Sequence, residues 1–279
     1  MPQRVPHPAL LQWVRPQLTE LVEAAPEGDQ WLHEIKYDGY RMHARLDRGA
    51  VKLLTRTGLD WTHKYPAIAK AVAALDAGQA YLDGELCGVG PDGVTSFNIV
   101  QLASDSGNAA ALVFFLFDLL YLDGEDLRMR PLIERKHRLS ALLANAGPCL
   151  HYSNYVLGQG PAFYEKACAM RVEGIVSKRI DAPYTPSNRG LWRKVKCLNR
   201  AEFVVVGWTD PEGGRPWLGA CSWLITIQTG GLFMRVASEP ELIVQSSAGF
   251  GSGDSHSPSP RCHSRLHRLE RTALVHHSF

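Results

Sequence analysis

Polar and apolar residues alternate over Trp31–Ile35, which sets Trp31, His33 and Ile35 on one face of a strand and Leu32, Glu34 and Lys36 on the other. Asp38-Gly39 then reads as a tight hairpin turn, leaving Lys36 at the strand's rim and Arg41 on a returning strand that runs to about residue 47. Arg48-Gly49 is a second turn, followed by a strand in which Val51, Leu53 and Thr55 alternate with Lys52, Leu54 and Arg56. Ile68, Val72 and Leu75 recur at helical spacing, with Pro66 in the first turn and Gly78 as a stop. In the strand Ala80–Leu86, Tyr81, Asp83 and Glu85 share a face, so two carboxylates point together beside Gly84, as exposed polar edges routinely arrange them. A short helix over Phe97–Leu102, a buried strand over Val113–Leu119 and an amphipathic helix over Pro131–Ala146 follow. The apolar side of that helix carries Leu132, Ile133, Lys136, Leu139, Leu142 and Leu143. A strand over Leu150–Val156 and a helix from Phe163 to about Met170 lead into Glu173-Gly174-Ile175-Val176-Ser177-Lys178. Strands and helices mix without a regular βαβ beat, so the expected class is α+β.

The proline-rich first thirty residues predict an extended segment with a helical turn near Leu18–Val22. At the other end, the Val/Trp-rich stretch Ala201 to about Val244 predicts a small β-barrel, with strands at Glu202–Trp208 and Trp223–Gln228 and turns at Asp210-Pro211, Gly213-Gly214 and Gly230-Gly231. Residues 245–279 are rich in Ser and His, contain Ser257-Pro258-Ser259-Pro260, and have little apolar periodicity; a largely disordered tail is expected. The expected domains are therefore 1–200, 201–244 as a partial barrel, and 245–279 as the tail. Cys262, His263 and His267 carry metal-ligating side chains, but spacing as loose as theirs is more often incidental than a metal site.

Charge changes the picture only locally. The 279 residues carry 30 Lys and Arg against 28 Asp and Glu, a net of +2, which neither demands nor forbids a polyanionic partner. Within 171–200, however, Arg171, Lys178, Arg179, Arg189, Arg193, Lys194, Lys196 and Arg200 face only Glu173 and Asp181, and no lysine follows Lys196. Trp192, Lys194 and Lys196 share one face of a strand, an aromatic and two cations where phosphate and a base or backbone can be held. The six cysteines are scattered without a C-x-x-C pair, which argues against zinc ribbons and a disulfide framework and suits a reducing compartment. The N-terminus lacks a signal-peptide apolar region. The longest apolar run, Ala111–Leu122, is interrupted by Asp118 and too short to span a bilayer, so no membrane partner is expected.

Taken in order, these pieces resemble the covalent nucleotidyltransferases, and most closely the ATP-dependent DNA ligases of the bacterial end-joining type, over about residues 8–245. Lys36-Tyr37-Asp38-Gly39-Tyr40-Arg41 is similar to the nucleotidyl-lysine signature Lys-x-Asp-Gly-x-Arg. Thr55-Arg56-Thr57-Gly58, Asp83-Gly84-Glu85, Phe117-Asp118, Glu173–Lys178 and Trp192-x-Lys194-x-Lys196 resemble the family's later motifs. The expected fold is accordingly an adenylation domain followed by an OB-like barrel that is incomplete.

The resemblance implies three nucleotidyl transfers: to Lys36 from ATP, onward to a DNA 5′-phosphate, and displacement of AMP by a 3′-hydroxyl. It implies Arg41, Arg56, Lys194 and Lys196 as a clamp on ribose and phosphates, Phe117 stacked on adenine, and Glu34, by side chain or neighbouring backbone, reading the base edge. Glu85 and Glu173 are the implied ligands of Mg²⁺ or Mn²⁺. Asp38 is equally a turn residue or a catalytic one. Nicked or broken duplex DNA is the implied partner, contacted through Arg189 and Arg193, with a Ku-type end-binding protein as a recruiter, a monomeric state and a cytoplasmic, nucleoid-associated setting. RNA ligases and capping-type guanylyltransferases share the lysine signature, and a non-catalytic nucleic-acid-binding descendant is a further alternative. The sequence departs from the family after Val244, where nothing matches the basic Arg-x-Asp-Lys motif expected near the C-terminus. On that ground self-adenylation is expected to be slow relative to sealing of a preadenylated nick.

Overall fold

A computed structural model of the chain describes residues 9–106 and 112–197 and, as backbone strands, 199–208, 221–226, 232–237, 242–243 and 273–277. The chain divides into two compact units, Met1–Cys197 and Leu198–Phe279.

The first unit is built on two sheets. One has the order β1 (Glu20–Leu21), β12 (Trp192–Lys196), β11 (Gly174–Arg179), β2 (Trp31–Ile35) and β10 (Tyr155–Leu157). The other runs β4 (Ala50–Thr55), β3 (Tyr40–Asp47), β5 (Gln79–Val89), β7 (Leu112–Leu122) and β8 (Glu125–Asp126), with β6 (Thr95–Ser96) on β5 and β9 (Leu150–Tyr152) parallel to β7. Helices α1 (Pro66–Ala73), α2 (Phe97–Ser106), α3 (Leu132–Leu142) and α4 (Gly160–Ala169) complete the α+β unit. The main core joins the second sheet to α1 and α3 through residues such as Leu53, Ile68, Val72, Leu82, Leu116 and Leu139. A smaller core under α4 contains Ala167, Ile175 and Val195. No helix among the described residues is long and apolar enough to cross a membrane.

Four expectations change. First, β2 and β3 do not form a hairpin: β2 pairs with β10 and β11, and β3 with β4 and β5. Asp38-Gly39 is instead the crossing between sheets. Gly39 is required by close approach, because a Cβ there would collide with the Leu86 carbonyl oxygen and come 2.8 Å from the Cys87 sulfur. The true hairpin is β3–β4, where Arg48 and Gly49 both take positive φ (52° and 86°). Second, Leu150–Val156 is two strands in two sheets, separated at Ser153, whose amide donates to the Leu116 carbonyl (2.8 Å).

Third, the turn near Leu18–Val22 is not helical. Glu20 and Leu21 lie parallel to Arg193 and Lys194, and the Val22 amide donates to the Lys194 carbonyl (3.0 Å), so edge pairing overrides the local preference. Fourth, Cys168 and Cys197 form a disulfide closing 29 residues. Spacing along the chain gave no hint of it, because packing of α4 on the sheet brings the end of α4 beside the exit of β12.

The second unit is an antiparallel sheet that curls into an incomplete, OB-like barrel, with the order β15 (Leu232–Ala237), β14 (Cys221–Thr226), β13 (Asn199–Trp208), β17 (Ala273–His277) and β16 (Leu242–Ile243). Within 245–279 the residues Ala273–His277 form β17, which pairs with Phe203–Asn199. The three turns expected in this region, and Cys262, His263 and His267, lie outside the described residues.

Candidate active site

The two sheets of the first unit face each other across a cleft of about 180 Å³. From the first sheet come Glu34, Lys36, Val176, Lys178, Trp192 and Lys194. From the second come Arg41, Glu85 and Phe117, while Arg56 and the segment Gln17–Thr19 close its rim. Strand periodicity explains the first set: residues 34 and 36, 176 and 178, and 192 and 194 lie two apart and therefore project to the same face.

Lys36 sits where β2 ends, its amide donating to the Gly174 carbonyl (2.9 Å). Its Nζ hydrogen-bonds to Glu173 Oε2, and both side chains keep some exposure, at 21% and 11%. Glu173 is itself anchored by its carbonyl, which accepts from the Cys197 amide (2.9 Å). Glu85 faces the same place from β5. Burial pushes its carboxyl up to about 7, against the pull of Arg41 and Lys36, and the negative charges of Asp83 and Glu173 add to the rise. Its carboxylate accepts no hydrogen bond from any described residue.

Glu85 and Glu173 therefore fit a hard divalent cation: a half-buried carboxylate lacking donors beside a second carboxylate favours added positive charge. Among the described residues no group of three or more His, Cys, Asp or Glu is placed to hold a metal alone. Two carboxylates need substrate oxygens or water to complete the set.

Arg41 is fixed by a bidentate pair with Asp83, Nε to Oδ1 at 2.6 Å and Nη2 to Oδ2 at 2.7 Å. Asp83 also accepts from the Tyr184 hydroxyl (2.7 Å), and His43 Nε2 lies 3.1 Å from it, off the hydrogen-bond line. Burial opposes ionisation of Asp83, but Arg41 and His43 outweigh it and hold the carboxyl well below the usual range. Asp83 is fully buried on a central strand, so the exposed-edge reading fails and its work is to aim Arg41.

The floor of the cleft is a second, closed cluster. Glu34 is 2% exposed, and its two oxygens accept from Lys136 and Lys178, each at 2.6 Å. Burial would raise its carboxyl, yet the two ammonium groups lower it overall; burial pushes Lys178 down to about 8 despite Glu34. Lys178 Nζ lies 4.2 Å from the centroids of both Phe117 and Trp192, and Arg41 lies 4.4 Å from Phe117. Phe117 thus lines the cleft with two cations already against its ring.

Of the expected site residues, the cleft gathers Glu34, Lys36, Arg41, Arg56, Glu85, Phe117 and Lys194, with Glu173 bonded to Lys36. Three lie elsewhere. Lys196, across from Gly174, is not among the lining residues. Arg189 is in the exposed turn Arg189–Leu191. Arg193 points to the opposite face of β12, over Trp31 at 5.0 Å. Sequence reasoning missed Lys136, the pairing role of Lys178, and the support of Asp83 by Tyr184, whose hydroxyl in turn accepts from the Gln17 amide (2.8 Å). The signal for Lys136 was available: a lysine within the apolar stripe of α3.

This fold and cleft define a nucleotidyltransferase domain, with a lysine between a cation-rich wall and paired carboxylates. The profile of the family described as "ATP dependent DNA ligase domain" matches residues 8–196, and the chain belongs to that family. It is 40% identical over 210 residues to the multifunctional non-homologous end joining protein LigD of Pseudomonas aeruginosa, covering 75% of this chain and 25% of that protein. It is 33% identical to a DNA ligase of Pyrobaculum calidifontis, covering 74% of this chain and 39% of the relative. The solved structure of mycobacterial DNA ligase D complexed with ATP and MES superposes with a TM-score of 0.60 at 32% identity, over 80% of this chain and 71% of that one. The chain spans about a quarter of the length of the curated LigD relative from Pseudomonas.

Proposed function

We propose that the chain is an ATP-dependent DNA ligase that seals nicks or ends through an adenylated Lys36. The observation that carries this reading is the placement of Lys36 Nζ, partly exposed and bonded to Glu173, in a cleft whose other walls carry Arg41, Lys194 and Glu85. In the first step the Lys36 ammonium gives a proton to Glu173 Oε2, the atom it already faces. The amine then attacks the α-phosphorus of ATP; the N–P bond forms, the bond to the β-phosphate oxygen breaks with release of pyrophosphate, and the nitrogen gives its second proton to solvent to leave the neutral phosphoramidate. Arg41, held by Asp83, and Arg56, Lys194 and Lys196 would bind ribose and phosphate oxygens. Phe117 would pack on adenine across from Val176. Both Glu34 oxygens are engaged by lysines, which favours the backbone beside Glu34 over its side chain as reader of the base edge. Glu85 and the second oxygen of Glu173 would hold Mg²⁺ or Mn²⁺. Such an ion supplies positive charge to the phosphoryl oxygens as the transition state forms.

AMP then passes to a DNA 5′-phosphate, which displaces the Lys36 nitrogen, and a 3′-hydroxyl finally attacks that phosphate and expels AMP. Nicked or broken duplex DNA is the proposed partner, contacted outside the cleft by Arg189 and Arg193. A Ku-type protein as recruiter, action as a monomer and a cytoplasmic, nucleoid-associated setting belong to the same reading. The test is incubation with ATP labelled at the α-phosphate, with and without a nicked duplex, in Mg²⁺ or Mn²⁺. Covalent label that is chased into sealed DNA is the expected result. Label from GTP alone would favour a capping-type enzyme, and DNA binding with neither label nor sealing a non-catalytic descendant.

A further inference from the structure

The segment leading to the cleft is strapped to the second sheet: the Leu11 carbonyl accepts from Arg45 Nε (2.9 Å), and the Val14 amide donates to the Tyr81 hydroxyl (3.1 Å). Leu10 and Val14 are buried beside Tyr81 and Tyr121. Alternation along this extended segment turns Trp13 and Arg15 outward. Trp13 is 42% exposed although it is the kind of side chain a core would take. It is not loose. A Cβ on Gly58 would meet the indole Nε1 at 3.2 Å and Cδ1 and Cε2 at 3.3 Å, so the ring is seated on Gly58. Gly58 has φ +88° and its amide donates to the Thr55 carbonyl (2.8 Å), which makes a fixed turn of Thr55–Gly58. That turn carries Arg56, exposed and lining the cleft. The Trp13 indole N–H has no acceptor among the described residues.

A flat aromatic with an unused donor, seated on the turn that carries Arg56 and two residues along the chain from the exposed Arg15, is the equipment for gripping a nucleic-acid backbone. We propose that Trp13 is a DNA-contacting residue at the mouth of the cleft, packing on a deoxyribose and donating its N–H to a phosphate of the nicked duplex, so that the nick is presented to the adenylated lysine. This rests on the ligase reading, and it adds a contact that lies outside the nucleotide cleft.

The experiment compares the full chain with Trp13→Ala and Trp13→Phe. It measures the Kd for a nicked duplex across a salt series, self-adenylation from labelled ATP without DNA, and sealing of a preadenylated nick. Trp13→Ala should weaken nick binding by about fivefold or more and slow sealing in parallel, while covalent labelling without DNA stays near wild type. The slope of log Kd against log salt should be unchanged, because an uncharged contact releases no counterion. Trp13→Phe should recover part of the affinity. Unchanged nick affinity in Trp13→Ala overturns the proposal, and so does an equal loss of DNA-free labelling, which marks a purely structural indole. Failure of the wild-type chain to label itself with ATP would strike the ligase reading while leaving the Trp13 binding comparison to be decided on its own; failure of the wild type to bind the nick overturns both.

Discussion

Two lysine–glutamate groupings face the same cleft, and they are built on opposite terms. Glu34, Lys136 and Lys178 are buried, and every carboxylate oxygen has its ammonium partner at 2.6 Å. Lys36, Glu85 and Glu173 lie within electrostatic reach of one another, yet Glu85 accepts no bond from a described residue and Lys36 keeps contact with solvent. The first arrangement satisfies its charges internally and so fixes geometry; the second leaves a surplus of negative charge and a solvent-reachable amine. Lysine and glutamate occur in both. Closure of the charge set, rather than residue type, separates scaffold from chemistry here.

The largest effect expected is on labelling. Lys36→Ala should lower covalent AMP labelling below about 0.1% of wild type, since the acceptor atom is gone. Its thermal midpoint should stay close to wild type because the side chain is partly exposed and lacks a buried partner set. Undiminished label, or label on another lysine peptide, would overturn the assignment.

Glu34→Gln should act in the opposite way. It strands two buried ammonium groups and should cost about 3–5 kcal/mol in urea unfolding. Lys136→Met should cost less, since Glu34 and Lys178 remain a matched pair; an equal cost would break the distinction between a central carboxylate and its flanking cations. The pH dependence has a definite sign. Glu34's carboxyl is lowered in the fold, so its stabilisation is present above its unfolded value near 4.5 and is lost as pH falls through the lower folded value. Glu34→Gln should abolish that acid-sensitive component.

Glu85→Gln sharpens the contrast from the open side. Labelling should fall by roughly 10²-fold at fixed Mg²⁺ or Mn²⁺, with a higher metal concentration for half-maximal rate. Stability should hold or rise, because a carboxylate repelled by Asp83 and Glu173 is removed. Chelation with EDTA should stop labelling in the wild type. A loss of stability as large as that of Glu34→Gln would place Glu85 in the scaffold.

Much of this was legible along the chain, and the failures have physical causes. Strand periodicity placed residues 34 and 36 together, and 192 and 194 together, because side-chain alternation is a local property. It missed that β2 and β3 belong to different sheets, since Asp-Gly looks the same whether it turns a hairpin or crosses between layers. The Arg41–Asp83–Tyr184 support joins residues up to 143 positions apart, and no local pattern reports such a meeting. Lys136 was visible as a lysine in an apolar stripe, but its partner Glu34 lies 102 residues away. Spacing predicted which residues share a face; only the fold decides which faces meet.

The smallest effect concerns Arg189 and Arg193, the proposed duplex contacts beyond the cleft. Each phosphate neutralised on duplex DNA contributes about 0.9 to the slope of log affinity against log salt. Arg189 is exposed in its turn, so Arg189→Ala should lower that slope by close to the full amount. Arg193 is already engaged: its guanidinium lies 5.0 Å from the Trp31 centroid, and its Nε is 3.9 Å from Glu20. Binding a phosphate would compete with these contacts, so Arg193→Ala should lower the slope by less. The double variant measured from 50 to 200 mM salt on a nicked duplex decides the matter. A slope reduced by about 1 to 2 supports both contacts, and one reduced only as far as by Arg189→Ala assigns Arg193 to the Trp31 side of its sheet. An unchanged slope would remove both residues from the DNA interface and leave phosphate contact to Lys194, Lys196 and Arg56 around the cleft.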